Sequence, residues 1–137
     1  MNKPEQNFWK LIKTHLPGDV SRVENIADSG TPDVSGAYRS NDYWVELKVC
    51  QNNKKERVII DLLRPAQSVW HSRRGKHGSK IFVLVQYPQF ETNAIVAYSF
   101  SYQQKYIFCQ RFERYKNRWP WDHFTNWFIE QITEETF

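Results

Sequence analysis

Three residues stand at a spacing that could do hydrolytic chemistry: Asp33, directly after Pro32, and Glu46 and Lys48 within Trp44-Val45-Glu46-Leu47-Lys48-Val49. In a strand, side chains alternate between faces, so Val45, Leu47 and Val49 point into a core while Glu46 and Lys48 stand side by side on the other face. Hairpin pairing with the preceding strand brings Asp33 beside them. Two carboxylates converging with an ammonium at the end of a sheet make a hard-oxygen site. Mg²⁺ suits it, because it takes one or two protein carboxylates and leaves its other positions to water and phosphate oxygens. The lysine there stabilises a deprotonated water or a pentavalent phosphorus. Glu and Lys two apart on an exposed strand face also describe an ordinary surface ion pair, and these residues alone leave both readings open.

Periodicity and stop signals give the elements that must position them. Phe8, Trp9, Leu11, Ile12 and Leu16 recur at helical spacing between Pro4 and the stop at Pro17-Gly18. Strands are expected over Ser21–Ala27, Val34–Tyr38 and Tyr43–Cys50, the last two joined by a turn at Ser40-Asn41-Asp42. Pro65 opens a second helix on which Ala66, Val69, Trp70 and Arg73 share a face, closed off by Gly75 and Gly78. Ile81–Val85 reads as a strand covered on both faces, and Ala94–Phe100 as a further strand. Ser101–Asn117 fits a helix and a strand hairpin equally, while Trp121, Phe124, Phe128 and Ile132 predict a closing amphipathic helix. The expected architecture is α/β: one domain over 1–137, with a core over 1–100 and an aromatic helical extension over 101–137.

With 137 residues, 40% of them hydrophobic, the chain can close one core without a metal staple. It shows no apolar run of the roughly 18 to 20 residues that a membrane span needs and no signal-peptide core. A soluble, cytoplasmic protein is expected, with Cys50 and Cys109 as small core or near-core thiols. The net charge is +4, concentrated in residues 51–80, which hold Lys54, Lys55, Arg57, Arg64, Arg73, Arg74, Lys76 and Lys80 against Glu56 and Asp61. That segment is either a face for nucleic-acid phosphates or a solvated basic loop. Half of the 22 aromatic residues fall within 101–137.

Pro32-Asp33 followed by Glu46-Leu47-Lys48 resembles the PD-(D/E)XK nuclease signature, and the order of elements around it resembles that superfamily's αβββαβ core, from Glu5 to about Phe100. More narrowly, Phe8-Trp9-Lys10, Arg22-Val23-Glu24-Asn25, Gly30-Thr31-Pro32-Asp33-Val34, Trp44-Val45-Glu46-Leu47-Lys48 and Arg64-Pro65-Ala66-Gln67-Ser68-Val69-Trp70 are similar to the small stand-alone phage and prophage proteins of the virus-type replication-repair nuclease branch (VRR-NUC), relatives of Holliday-junction resolvases. The resemblance implies that Asp33, Glu46 and the backbone carbonyl of Leu47 hold the metal, Mg²⁺ with Mn²⁺ as substitute. It also implies that Lys48 positions the nucleophilic water, that Gln67 steadies the water or the phosphate, and that Glu5 lies one step out from the metal. Gln67 at a helix start could equally cap its own backbone, and Glu5 in a first turn suits the helix dipole. Glu24 is a weaker candidate, paired with Arg22. His71 and His77 flank the basic loop without metal-ligand spacing and are expected to help contact phosphate or to have no role, and His15 and His123 have no partner visible in sequence.

The function so implied is metal-dependent endonuclease cleavage of DNA leaving 5′-phosphate ends, in phage or prophage DNA processing. Phosphate contact is assigned to Lys54, Lys55, Arg57, Arg64, Arg73, Arg74 and Lys76. So short a chain has little room to read a long sequence, which favours selectivity for DNA shape. A homodimer is a further expectation, with the Trp-rich tail either forming its interface or lying on its own sheet. Two alternatives stand beside this reading: a non-catalytic nucleic-acid binding module, stacking bases on aromatics such as Trp119 and Trp121, and a sequence-specific nicking or restriction enzyme.

Overall fold

The computed structural model describes residues 1–23, 30–50, 59–87 and 93–133. Its elements are α1 (Lys3–Ile12), β1 (Asp19–Arg22), β2 (Val34–Tyr38), β3 (Asn41–Val49), α2 (Ile59–Leu62), α3 (Pro65–Gly75), β4 (Lys80–Tyr87), β5 (Ala94–Ser101), β6 (Lys105–Glu113) and α4 (Trp121–Thr133). The six strands form one mixed sheet in chain order, and of its pairs only β3 with β4 is parallel. That pair is linked through α2 and α3, as a parallel connection requires. Apart from the short α2, the elements follow the expected order of helix, three strands, helix, two strands.

Helices cover both faces. On one, Phe8 and Ile12 of α1 and Phe124, Phe128 and Ile132 of α4 share a cluster with Val45, Leu47, Leu84 and Ile95 of the sheet. On the other, Leu63 and Trp70 pack against Val83, Val85 and Ile81. Because both faces of β4 are buried from Ile81 to Val85, that strand carries the unbroken apolar run that its sequence shows. The β2–β3 hairpin turns at Arg39 and Ser40, both with positive φ (46° and 66°), so β3 begins at Asn41 rather than Tyr43.

Residues 101–133 settle the segment that periodicity left open. Lys105–Glu113 pairs with β5 as a sixth strand. The aromatic helix α4 forms as expected and sits in the same core as α1, so no break in packing falls at residue 100. Its large side chains Phe124, Trp127, Phe128 and Ile132 are therefore taken up by its own sheet, while Ile107 and Phe108 of β6 stay exposed. Trp119 and Trp121 stack on each other, and Trp121 on His15 at 4.0 Å, so His15 has an aromatic partner. Among the described residues Cys50 and Cys109 form no disulfide, and no helix is long and apolar enough to cross a membrane.

Candidate active site

Asp33 stands just before β2, where Pro32, lacking a backbone N–H, ends the ladder. Val34 pairs with Val45, so Asp33 is level with Glu46 across the hairpin. There the Asp33 side chain takes over from the strand: its Oδ2 accepts the Leu47 N–H at 2.8 Å. Its carbonyl accepts the Val23 N–H at 2.7 Å, fixing the backbone from the other side. Gly30, three residues earlier, lies so close to α3 that an added Cβ would come within 2.2 Å of the Ala66 carbonyl oxygen. The loop leading to Asp33 is thus seated on the helix that carries Gln67.

Glu46 points away from the α1 face, as strand alternation predicts, yet it is not on an exposed face: it is 0% exposed. Neither carboxylate oxygen has a hydrogen-bond partner. Burial pushes its pKa well above the ordinary value, and Asp33, within hydrogen-bonding reach, pushes it the same way, as does the charge of Glu5. Lys48 alone pulls it down. Among the described residues no ion pair joins Glu46 to Lys48. The surface ion pair that the sequence left open is therefore not what these residues form.

Beside Glu46 lies a residue whose place the sequence did not reveal. His71 of α3 is 0% exposed, with Nε2 3.9 Å from Glu46 Oε1, and Nδ1 shares a 2.6 Å hydrogen bond with the Tyr106 hydroxyl of β6. Burial first, and then the charge of Lys48, lower the His71 pKa to about 4, so the ring is neutral at pH 7. Phosphate contact, suggested by the basic neighbours of His71, is corrected by this burial. The missed signal was spacing: Gln67 and His71 are four apart on one helix and share its inward face with Trp70, whereas Val69 is 64% exposed and Ala66 and Arg73 are also exposed. Of the four residues expected to share a face, only Trp70 is buried.

A cleft of about 370 Å³ opens at the C-terminal end of β3, lined by Glu5, Asp33, Lys48, Arg64 and Gln67 among others. Glu46 lies behind its surface. Asn2 caps α1 by accepting the Glu5 N–H at 2.9 Å, which orients the first turn of the helix at the cleft. Burial raises the Glu5 pKa, with the charge of Asp33 adding to the effect and Lys48 opposing it. Lys48 thus acts on Glu5, Glu46 and His71 together. Gln67 does cap its helix, its Oε1 accepting the Arg64 N–H at 2.8 Å. The oxygen being committed to the cap, the amide NH₂ is left as its donor toward a ligand.

The basic segment divides. Arg64 is at the cleft, whereas Arg73, Arg74 and Lys76 lie at the other end of α3, about 15 Å along its axis. Arg74 stacks on Trp70 at 4.9 Å and lines a second cleft of about 500 Å³ with Trp44, His77 and Lys80. Lys80 donates to the Ile132 carbonyl at the end of α4. Of the residues assigned to phosphate contact, Arg64 therefore stands at the carboxylates, while Arg73, Arg74 and Lys76 stand apart from them. Lys54, Lys55, Arg57 and Glu24 lie outside the described residues.

Among the described residues no three His, Cys, Asp or Glu side chains assemble as a metal-ligand group. A closed protein cage for zinc or calcium is not what these residues fit. They do fit an ion content with one or two carboxylates and several waters, because the orphaned oxygens of Glu46 beside Asp33 are a buried acceptor set with no donor. No family model matches the sequence, and no curated protein matches it. Among solved structures, the chain is similar to Hjc, a Holliday junction resolvase from the archaeal hyperthermophile Archaeoglobus fulgidus, at 14% identity and a TM-score of 0.46, covering 77% of this chain and 84% of that one.

Proposed function

We propose that the chain is a metal-dependent endonuclease of PD-(D/E)XK type that hydrolyses DNA phosphodiester bonds. The observation that carries the reading is Glu46, a carboxylate buried without any donor beside the carboxylate of Asp33. An unpartnered buried charge works against folding, and a divalent cation between the two carboxylates would relieve it. Mg²⁺, or Mn²⁺ in its place, held by Asp33, Glu46 and the Leu47 carbonyl, would activate water and offset charge at the phosphate. The remaining roles fall to the chain. Asp33 is held in place by the Leu47 N–H. Lys48 brings a positive charge to the water and the phosphate, Arg64 a guanidinium at the cleft wall, and Gln67 an amide donor. Glu5 shapes the field around Lys48 from the cleft's other side. Water adds across the P–O3′ bond, leaving a 5′-phosphate and a 3′-hydroxyl.

The binding-module alternative has no use for a carboxylate buried in this way. Phage or prophage DNA processing in the cytoplasm is the setting that the sequence resemblance suggests, and a homodimer would give each strand its own site. The test is a cleavage panel of supercoiled plasmid, single strand, flap, nicked duplex and four-way junction in Mg²⁺, Mn²⁺ and EDTA. Metal-dependent cleavage of at least one substrate supports the proposal, and no cleavage of any removes it.

A further inference from the structure

Beyond β6 the chain makes a tight turn that concentrates positive charge away from the cleft. Arg114, Tyr115, Lys116 and Arg118 are all exposed, Tyr115 at 72%. The Tyr115 N–H donates to the Arg118 carbonyl at 2.8 Å and the Arg118 N–H to the Tyr115 carbonyl at 2.9 Å. Between them Lys116 and Asn117 have φ of 48° and 63°, the two left-handed residues of a type I′ hairpin turn. The Arg114 N–H donates to the Asn93 carbonyl at 2.9 Å, anchoring the base of the turn. Among the described residues none of the three cations is in an ion pair, and the neighbouring acid Glu113 is engaged by Arg111 at 2.8 Å. Apart from the Lys116 ammonium over the Tyr115 ring, no contact among the described residues uses this charge.

Its position follows from the register. Val49 of β3 is level with Gln86 of β4, Gln86 with Ile95 of β5, and Ile95 with Phe112 of β6. The row that ends β3 at the cleft therefore meets β6 two residues before Arg114. The turn lies at the same end of the sheet as the cleft, three strand spacings or about 14 Å across. That is about four base-pair rises of nucleic acid, so a strand held in the cleft also reaches the turn.

We infer that the Arg114–Arg118 hairpin is a second grip on the DNA, its cations on phosphates and Tyr115 stacked on an unpaired base a few nucleotides from the cleft. The inference rests on the endonuclease reading only for what happens in the cleft. Unpaired cations on a fixed turn suit a polyanion and would repel the same turn on a second copy of the chain. Lys116 Nζ lies over the Tyr115 ring at 5.4 Å, setting an ammonium beside an exposed ring, the pairing that grips single strands. This makes the substrate a duplex with an unpaired stretch rather than a plain duplex.

The test is binding in EDTA of fluorescent oligonucleotides (a single strand, a duplex and a flapped duplex) over a salt series. Arg114→Gln, Lys116→Gln and Arg118→Gln combined should lower the salt slope on single strand by about 2, at about 0.7 per phosphate contact. Tyr115→Ala should weaken single-strand and flap binding by about 5- to 150-fold and leave duplex within about twofold. An unchanged slope in the triple variant overturns the grip, as does a wild type that binds none of the three. An equal effect of Tyr115→Ala on duplex and single strand overturns the unpaired-base contact. Unchanged melting curves would show both variants folded. A wild type that binds but cuts nothing with any metal defeats the endonuclease reading and leaves this contact standing.

Discussion

Glu46→Gln should make the protein more stable when no divalent ion is present. The wild-type carboxylate is 0% exposed and has no donor on either oxygen, a defect worth about 1–3 kcal/mol for a buried polar group. The pH dependence gives the sign. Burial and then Asp33 raise the folded pKa above the ordinary 4.5, so the folded state holds a proton that the unfolded state has released. Stability is full below 4.5 and falls as pH rises toward the folded value, by about 1.4 kcal/mol for each unit of separation. Glutamine keeps the volume, carries no charge and can donate its NH₂ to Asp33. In EDTA at pH 8 the variant should melt about 3–9 °C above wild type, at roughly 3 °C per kcal/mol for a chain of this size, and at pH 5 by less. Mn²⁺ at 100 times its dissociation constant should stabilise wild type by about 2.7 kcal/mol and the variant little, narrowing or inverting the order. A variant that melts at or below wild type in EDTA at pH 8 would refute the reasoning.

Other consequences follow from neighbouring contacts. His71, lowered to about 4, resists protonation in the fold, so its contribution is present above pH 6.5 and lost as pH falls toward 4. In a Glu46→Gln background that loss should reach about 3 kcal/mol, and adding His71→Gln should flatten it in melts from pH 7 to 4. Gly30→Ala drives a Cβ to within 2.2 Å of the Ala66 carbonyl oxygen. It should cost about 1–3 kcal/mol in urea melts and slow cleavage by displacing Asp33. Phe128→Ala should cost about 3–5 kcal/mol in the same assay, because α4 belongs to the main core; a loss under 1 kcal/mol would make it an appendage after all.

The positions of Asp33, Glu46 and Lys48 could be read from strand alternation because a hairpin converts sequence spacing into spatial register. β4 could be read from its unbroken apolar run. β6 could not, for a specific reason. A bulge between Ala97 and Tyr98 leaves Cys109 unpaired and reverses the side-chain alternation, so Tyr106 packs toward α3 while Phe112 packs toward α4. The inward face of α3 is not legible from hydrophobic periodicity, because it buries Gln67 and His71, polar residues that such periodicity cannot see. Glu46 looked exposed because α3 covers it from a distance in sequence. The split of the basic segment follows from helix length, which puts Arg64 and Arg74 at opposite ends.

The most direct test is plasmid nicking in Mg²⁺ or Mn²⁺ by Asp33→Asn and Lys48→Ala, paired with DNA mobility shift in EDTA. Asn at 33 can still accept the Leu47 N–H that Asp33 accepts at 2.8 Å, so the hairpin should keep its geometry. Nicking by both variants should fall by orders of magnitude. Binding in EDTA should hold or tighten for Asp33→Asn, which removes a negative charge from the cleft, and hold or weaken for Lys48→Ala. Wild-type nicking by Asp33→Asn would contradict the assignment of this carboxylate pair as the metal-holding centre.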